Sequence, residues 1–386
     1  MSKVKFGDVV RETKEKVDRS NNPYEFYVAG DHMDTEDLTI RRKGRFATDD
    51  VGPAFVRVFH EGQVLYGSRR TYLKKIAVAD FDGVTANTTF VLETKDENML
   101  RQRLIPFIMY TEKFTEWSVK KSKGSTNPYV LFSDLADYEF DLPPIEKQDE
   151  LVELLWSMVE AKEAYQELLQ QTDELVKSRF IEMFGDAIEN EMGWSQMPLC
   201  KVLAEGCTVT YGIVKTEDDI PNGVPVFRPV DISQGHIPTR SELKRTSQKI
   251  SDCYRRTLLQ GDEILITVRG SIGETFQICD EFAGCNVARN IVPLRANPRL
   301  LSQGFLKAVL DSAAFQRRLS ELTKGVALKG INMNEFKMCP VILPPLPRQE
   351  QFLTFQSQSD KSKFELGQAV KTLEAVYNKI ISENLN

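Results

Sequence analysis

The sequence has no long hydrophobic run. No stretch of the 386-residue chain approaches the roughly 18 consecutive apolar residues that are needed to cross a bilayer. The opening segment MSKVKFGDVVRE also lacks the apolar region of a secretory signal. We therefore expect a cytoplasmic protein without a membrane-spanning segment.

Cysteine and histidine are scarce. All six cysteines lie in the second half of the chain, where no CxxC pair occurs: Cys200, Cys207, Cys253, Cys279, Cys285 and Cys339. Because the second half repeats the first, a zinc site or disulfide framework belonging to the fold would appear in both halves. We therefore expect free thiols and no metal. The scattered histidines support no catalytic triad: His32, His60 and His236.

Motifs of catalysis are missing or weak. Asn22-Pro23-Tyr24 and Asn127-Pro128-Tyr129 lack the second proline of an adenine-methyltransferase motif and are typical of turns. The segment 269–273, Arg-Gly-Ser-Ile-Gly, has no Lys-Ser/Thr after it and is no P-loop. A nuclease could combine Asp231 with Glu242-Leu-Lys244. However, Glu-x-Lys is common in this chain, which is 27% charged, and it recurs at Glu12, Glu93 and Glu160. The residues by themselves therefore support no catalytic site.

The chain does contain a duplication. Lys123-Gly124 is followed by Leu142-Pro143-Pro144, and both motifs return 201 residues later as Lys324-Gly325 and Leu343-Pro344-Pro345. The register continues from Gln148 to Gln349. The segment from Gly62 to Arg69 likewise corresponds to the segment from Gly261 to Arg269. Outside such pieces the copies diverge, as expected if each copy binds a different ligand on a shared scaffold.

Each copy ends in a long helical pattern. Between residues 145 and 184 the apolar residues recur at alternating three- and four-residue spacing, without Gly or Pro. This helix would extend for roughly 60 Å. The second copy repeats the stripe over 346–384, so the two helices can bury their stripes as an antiparallel coiled coil. That pairing would place the globular units at opposite ends of a rod with pseudo-two-fold symmetry. The alternative is that each helix packs on its own domain.

The region before each helix has the pattern of a mixed α/β unit. Helical stretches such as Ser302–Leu322 separate short β-like runs at Ala54–Val58, Gln63–Tyr66, Phe90–Leu92, Val224–Phe227, Glu263–Val268 and Asn290–Leu294. We predict an α+β protein with globular units at 1–141 and 186–342 and long helices at 142–185 and 343–386.

Negative charge is concentrated in the first long helix. Residues 142–190 carry 4 Lys and Arg against 12 Asp and Glu, although the net charge of the whole chain is only −6. The globular units are near neutral, since residues 1–141 carry 22 basic against 23 acidic side chains and residues 191–342 carry 19 against 16. The acidic helix should repel phosphate and face protein or solvent. The overall charge therefore does not exclude DNA binding by the globular units.

The order of the motifs resembles that of a known family. Trp194 and the Leu-x-x-Val-Leu segment at 199–203 come first, followed by Tyr211-Gly212 and by Gly-x-Pro-Val-x-Arg-Pro-Val-Asp-Ile at 223–232. Gly261-Asp262, the glycine-rich segment 269–273, Lys324-Gly325 and the Leu-Pro-Pro-x-x-x-Gln motifs complete the order. The whole chain resembles the DNA-specificity subunit of type I restriction–modification systems. The first copy departs from the pattern, with Ser68-Arg69-Arg70-Thr71 in place of Arg-Gly-x-x-Gly, and Asn127-Pro128-Tyr129 where the second copy has Leu328-Lys329-Gly330.

The resemblance implies a non-catalytic, sequence-specific DNA-binding subunit. Each globular unit would be a target-recognition domain that reads half of a bipartite site in double-stranded DNA. The helices would space the halves and dock two methyltransferase subunits, which would carry S-adenosylmethionine and methylate adenine. A translocase–nuclease subunit would join for restriction. The alternatives are a specificity subunit of another two-part modification or phage-defence assembly, and a coiled-coil adaptor without DNA binding.

Basic residues beside glycine are the candidate DNA contacts, because a backbone without side chains can approach phosphate closely. The predicted DNA-binding residues are Arg69, Arg70, Lys121, Lys123, Gly124, Arg269, Gly270, Lys324, Gly325 and Lys329. The basic run 41–45 is a further candidate, although a basic cluster is often only a solvated face. Arg269 is expected at a strand end, where it would read a guanine edge, contact phosphate or staple the glycine turn. For partner docking the acidic helix offers Glu160, Glu163 and Glu167.

Overall fold

The computed structural model describes residues 2–217, 219–232, 238–324 and 330–385. The chain divides into two compact units. Unit 1 combines Met1–Glu167 with Leu366–Asn386, and unit 2 comprises Leu168–Glu365. Each unit therefore contains one globular part and segments of both long helices.

Unit 1 is a mixed α/β structure. Its strands are β1 Ser2–Lys5, β2 Val10–Thr13, β3 Phe26–Val28, β4 Gly44–Arg45, β5 Phe55–Phe59, β6 Val64–Gly67, β7 Ile76–Val78, β8 Gly83–Ala86, β9 Thr89–Thr94 and β10 Glu139–Leu142. Its helices are α1 Phe6–Val9, α2 Ile105–Tyr110, α3 Glu112–Lys121, α4 Phe132–Ala136 and the first part of α5 Ile145–Phe184.

One sheet of unit 1 has the strand order β2-β9-β6-β7, with antiparallel neighbours throughout. A second sheet has the order β4-β3-β8-β5, in which β3 and β8 are parallel. The strand β1 pairs antiparallel with β10, so that Ser2 lies opposite Leu142. Tyr66 of β6 and Phe114 of α3 are both buried, and their rings meet edge to face at 6.2 Å. The core therefore lies between the first sheet and the helices that come after it.

Unit 2 repeats this design. Its strands are β11 Gln196–Pro198, β12 Val224–Phe227, β13 Arg245–Thr246, β14 Ile264–Thr267, β15 Thr275–Gln277, β16 Asn286–Val287, β17 Ile291–Leu294, β18 Thr323–Lys324, β19 Gly330–Ile331 and β20 Pro340–Ile342. Its helices are α6 Pro229–Ile232, α7 Gln248–Cys253, α8 Gln303–Asp311, α9 Ala313–Leu322, α10 Met333–Lys337 and the first part of α11 Leu346–Leu385.

The two larger sheets of unit 2 correspond to those of unit 1 but have three strands each in place of four. One has the order β15-β14-β17 and another β13-β12-β16, in which β12 and β16 are parallel. The strand β11 pairs with β20, as β1 pairs with β10. All four residues of β14 are buried. A run of β-branched and apolar side chains favours such a central strand, as the sequence predicted.

The predicted duplication is confirmed in the helices. The helices α3, α4 and α5 return as α9, α10 and α11 with the 201-residue offset. The hydroxyl of Thr111 accepts a hydrogen bond from Phe114 N at 3.2 Å, and the hydroxyl of Ser312 accepts one from Phe315 N at 3.2 Å. Both residues are N-caps, which satisfy a free amide in the first helical turn. Ser312 therefore divides the predicted stretch Ser302–Leu322 into two helices.

A buried glutamine explains the repeated Leu-Pro-Pro-x-x-x-Gln motif. The amide nitrogen of Gln148 donates to Pro143 O and Met99 O, both at 2.9 Å, and its oxygen accepts from Arg101 N at 3.0 Å. Gln349 makes the corresponding three bonds to Pro344 O, Leu300 O and Ser302 N, at 2.8, 3.2 and 3.0 Å. Each glutamine fixes the start of a long helix to the loop before α2 or α8.

The long helices pack antiparallel within each unit. In unit 1, Lys162 of α5 pairs with Glu374 of α11 at 2.9 Å. In unit 2, Asp173 pairs with Lys363 at 2.8 Å, and the Phe180 and Phe352 rings lie 5.5 Å apart. Gly185 ends α5 with a positive φ of 71°, the left-handed conformation that is typical of a glycine after a helix. Among the described residues, no helix combines the length and apolar character of a bilayer crossing.

Candidate nucleic-acid interface

Three segments of unit 1 meet beyond the end of β6. Arg69 and Lys123 each form an antiparallel bridge with Tyr129. Tyr129 N donates to Lys123 O at 2.9 Å, and Lys123 N donates to Tyr129 O at 2.8 Å. Arg70 N donates to Pro128 O at 2.7 Å. These backbone contacts bring the predicted residues Arg69, Arg70 and Lys123 together on one surface, which we call the unit 1 contact patch.

Unit 2 builds the corresponding arrangement. Arg269 and Lys324 both lie opposite Gly330 in antiparallel pairs, and Ile331 N donates to Val268 O at 3.1 Å. Arg269 therefore occupies the place of Arg69, and Gly330 the place of Tyr129. We call this the unit 2 contact patch. The predicted residues Gly325 and Lys329 lie outside the described residues, and only the backbone of Lys324 is described.

The turn after each arginine is closed by a backbone hydrogen bond, and the turn of unit 1 is one residue longer. Gly67 N donates to Lys75 O at 2.9 Å in unit 1, and Thr267 N donates to Glu274 O at 3.0 Å in unit 2. In unit 2 the positive φ values fall on glycines, with 85° at Gly270 and 91° at Gly273. The two corresponding places in unit 1 are Arg70 at 51° and Lys74 at 44°. The left-handed conformation costs a non-glycine residue about 1–2 kcal/mol. Both turns therefore contain two left-handed positions, which hold cations in unit 1 and glycines in unit 2.

The arginines of both patches are available for a ligand. Arg69 and Arg70 are exposed, and Arg269 is half-buried. Their guanidinium groups make no hydrogen bond or ion pair with the residues that the structure describes. Arg269 does lie close to Gly330, since its Nε is 3.3 Å from the position of a Cβ on that residue. Among the described residues, the Arg269 guanidinium forms no hydrogen bond to the glycine turn 270–273.

The predicted lysines of unit 1 have partners inside the unit. Lys121 Nζ lies 4.7 Å from the centre of the Trp117 ring, in a cation–π contact. Lys123 Nζ pairs with an Asp134 carboxylate oxygen at 3.0 Å. Both contacts partly neutralise the cation. Gly124 has a positive φ of 90°, so its glycine is required by the turn itself.

The basic run 41–45 is neutralised by its neighbours. Arg41 pairs with Asp37 at 2.6 Å and with Glu163 at 3.1 Å. Arg42 pairs with Asp34 and Arg45 with Glu25, both at 2.5 Å. Lys43 Nζ lies 4.0 and 4.2 Å from the centres of the Phe26 and Phe81 rings. Each cation of the run has a partner, so this run offers less free positive charge than the contact patch.

The three glutamates predicted for partner docking differ in their surroundings. Glu160 and Glu167 are exposed. Glu163 accepts hydrogen bonds from Arg41 Nη2 at 3.1 Å and from the hydroxyl of Thr39. Glu163 therefore ties the long helix to the globular part of unit 1. A substitution there would disturb the unit as well as any docking surface.

Asp231 and Glu242, which were considered for a nuclease site, each accept hydrogen bonds within a local turn. Asp231 accepts from Arg228 N at 2.7 Å and pairs with the Arg228 guanidinium at 2.7 Å. Glu242 accepts from Thr239 N at 2.6 Å. Within the described ranges, no group of three or more His, Cys, Asp or Glu side chains could hold a metal ion. All six cysteines are unpaired, and burial raises the pKa of the Cys339 thiol to about 11.

Sequence reasoning missed Tyr129 and Tyr72 at the unit 1 contact patch. Tyr72 lies on the turn after Arg70 and is 54% exposed, and Tyr129 is 43% exposed. The 201-residue register aligns Asn127-Pro128-Tyr129 with Leu328-Lys329-Gly330. This alignment was the available signal, because it places an aromatic residue of one copy on a glycine of the other.

The chain belongs to the type I restriction modification DNA specificity domain family. The family profile matches residues 4–171 and again residues 207–375. The two matches agree with the internal duplication. Together they cover both contact patches and most of both long helices.

Individual relatives support the same family. The chain is 24% identical over 242 residues to the type I restriction enzyme EcoBI specificity subunit of Escherichia coli. This match covers 57% of the chain and 51% of the relative, so the chain spans about half the length of that curated protein. A solved type I restriction–modification S subunit from M. genitalium is 12% identical, with a TM-score of 0.58 over 100% of this chain and 96% of the other. A chain from a structure that concerns assembly and conformational transition of the type I R-M system has a TM-score of 0.60 at 20% identity, over 100% and 97% of the two chains. These structural likenesses concern the fold.

Proposed function

We propose that this chain is the sequence-specific DNA-binding subunit of a type I restriction–modification complex. One observation carries the proposal. The same arginine-centred arrangement of three segments occurs twice, with different neighbours and with guanidinium groups that have no partner among the described residues. Arginine side chains that are not engaged elsewhere can bind phosphate or the edge of a guanine base. Different neighbours around the two arginines would allow the two units to recognise different half-sites. Family membership supports this interpretation.

Each part of the chain has a role in this proposal. The target-recognition domains comprise 1–141 and 186–342, and each reads one half of a bipartite site in double-stranded DNA. The helices at 142–185 and 343–386 space the halves and dock two methyltransferase subunits. These partners carry S-adenosylmethionine and methylate adenine, so the chain itself is not catalytic. A translocase–nuclease subunit joins them for restriction, and the complex works in the cytoplasm.

Selection from a random DNA pool tests the DNA-binding proposal. The full chain is incubated with duplexes that carry about 40 randomised base pairs, and the bound fraction is sequenced. We expect two short conserved blocks separated by a spacer of fixed length and free sequence. Enrichment of no sequence would contradict the proposal and favour an adaptor without DNA binding. Enrichment of one continuous block would contradict the bipartite site.

A methyl-transfer assay tests the division of labour. The full chain with S-adenosylmethionine and the selected DNA should transfer no methyl group on its own. Adding a type I methyltransferase subunit should restore adenine methylation within the selected blocks. Methyl transfer by the purified chain alone would show that catalysis lies in this chain.

A helix deletion tests the spacing role. Removing about four residues from the middle of α5 shortens that helix by about 6 Å and rotates the segment beyond the deletion. The selected spacer should change by a base pair or more, while both blocks keep their sequences. An unchanged spacer in a folded deletion variant would exclude the helix as the ruler.

A further inference from the structure

Tyr129 lies at the centre of the unit 1 contact patch with its side chain unused. Its backbone N–H and C=O both form hydrogen bonds with the backbone of Lys123, and it forms an antiparallel β-bridge with Arg69. Its side chain is 43% exposed and makes no ring contact or hydrogen bond with the described residues. Tyr72, on the turn after Arg70, and Leu131, further along the chain, are 54% and 44% exposed. Three exposed apolar residues therefore lie on the segments that meet at this patch or directly follow them.

The corresponding place in unit 2 cannot present the same chemistry. Gly330 has no side chain, and a Cβ there would stand 3.3 Å from Arg269 Nε. Arg269 therefore lies along a bare backbone, whereas Arg69 has a phenol beside it. The positions correspond in the fold, and the chemical groups they offer to a ligand differ.

We propose that Tyr129 is a specificity-determining residue, whose side chain contacts a base of the half-site that unit 1 reads. This inference rests on the proposed function. Arg69 and Arg70 already supply positive charge for phosphate, so an uncharged side chain beside them adds little non-specific attraction. A phenol offers a hydroxyl that both donates and accepts, together with an apolar ring that can contact a thymine methyl group. Such a group discriminates between base edges better than it binds phosphate.

Substitution in unit 1 provides the first test. The full chain and its Tyr129→Gly variant, which copies residue 330, are each used to select from a pool of duplexes with randomised base pairs. We expect the variant to lose about tenfold in preference at one position of one block. The other block, read by unit 2, is the internal control and should stay unchanged. Tyr129→Phe retains the ring and removes only the hydroxyl, so it also provides a folded variant if the glycine variant is unstable.

The reciprocal substitution provides the second test. Gly330→Tyr must displace the flexible Arg269 side chain, so it should change the preference in the block read by unit 2 and leave the other block intact. An even loss of affinity across all sequences in Tyr129→Gly, with weaker salt dependence, would overturn base reading and assign a phosphate contact. Unchanged selectivity in both Tyr129 variants would remove Tyr129 from the interface. If the wild-type chain selects no sequence, the proposed function itself fails.

Discussion

The two contact patches are formed by corresponding bridged segments and differ in the side chains that they expose. In unit 2, glycines occupy the left-handed positions 270 and 273, and Gly330 leaves the Arg269 side chain beside open backbone. In unit 1, Arg70 and Lys74 occupy the left-handed positions, and Tyr129 replaces the glycine. Left-handed positions therefore occur in both turns, although unit 1 has no glycine at either of them. The two turns therefore expose different side chains.

The largest effect should come from the shared scaffold. Gln148→Ala leaves Arg101 N, Met99 O and Pro143 O without a buried partner, which should destabilise unit 1 by roughly 3 kcal/mol. Gln349→Ala should cost unit 2 a similar amount, since its three bonds correspond. Thermal unfolding of both variants measures the losses. A large loss in one unit and none in the other would show that the scaffolds are not equivalent.

Loss of a patch arginine should weaken binding without weakening the fold. Arg269→Ala should cost about 1–3 kcal/mol in DNA affinity and relax one position of one half-site, if the guanidinium reads a base edge. If it contacts only phosphate, affinity should fall evenly and the salt slope should decrease by about one unit. The melting temperature should stay constant, because Arg269 has no hydrogen-bond partner among the described residues. Exposed Arg256 in the same unit provides the control substitution, Arg256→Ala.

Exchange at the left-handed position should move stability and binding in opposite directions. Arg70→Gly removes the cost of a positive φ and should stabilise unit 1 by about 1 kcal/mol, while the lost cation weakens DNA binding. Gly270→Ala should destabilise unit 2 by a similar amount through its φ of 85°, although the space around it is open. Differential scanning calorimetry and a binding titration measure the two effects. A less stable Arg70→Gly variant would mean that the Arg70 side chain has a structural contact.

The smallest expected effect is a pH dependence in unit 1. A hydrogen bond to Glu15, with a second to Asp82, raises the His60 pKa above its ordinary value against the opposing effect of burial. Because the pKa is raised in the folded state, protonation of His60 stabilises the fold fully below the unfolded pKa of about 6.5. This stabilisation is lost as the pH rises through the folded-state pKa. The ring is partly exposed, so the contribution should stay below about 1 kcal/mol. The difference in melting temperature between wild type and His60→Gln should shrink from about pH 6 to about pH 8.5. A difference that stays constant would exclude this protonation.

The scaffold was predictable because its signals are local and repeated. The 201-residue register and the absence of Gly and Pro between 145 and 184 predicted both long helices, which the structure has at Ile145–Phe184 and Leu346–Leu385. The break at Ser312 was missed, because a serine inside an apolar pattern acts as a cap only when its hydroxyl reaches a free amide.

The contact patches were predicted less completely than the scaffold. The alignment of Gly62–Arg69 with Gly261–Arg269 already paired the two arginines, but their bridges to Tyr129 and Gly330, about 60 positions away, required the fold. The basic run 41–45 was a further candidate, and only its three-dimensional neighbours show that its charges are paired. A sequence does not distinguish a basic side chain that is paired from one that is unpaired. The three-dimensional structure is needed to tell which positive charges are available for a ligand.

Parallel selections with Arg69→Ala and Arg269→Ala test most directly whether one scaffold carries two independent readers. Each variant of the full chain is used to select from the same randomised duplex pool as wild type. We predict that Arg69→Ala weakens or relaxes only one conserved block and Arg269→Ala only the other, with the spacer unchanged in both. Loss of the same block in both variants, or of both blocks in either one, would contradict this division of the DNA site between the two units.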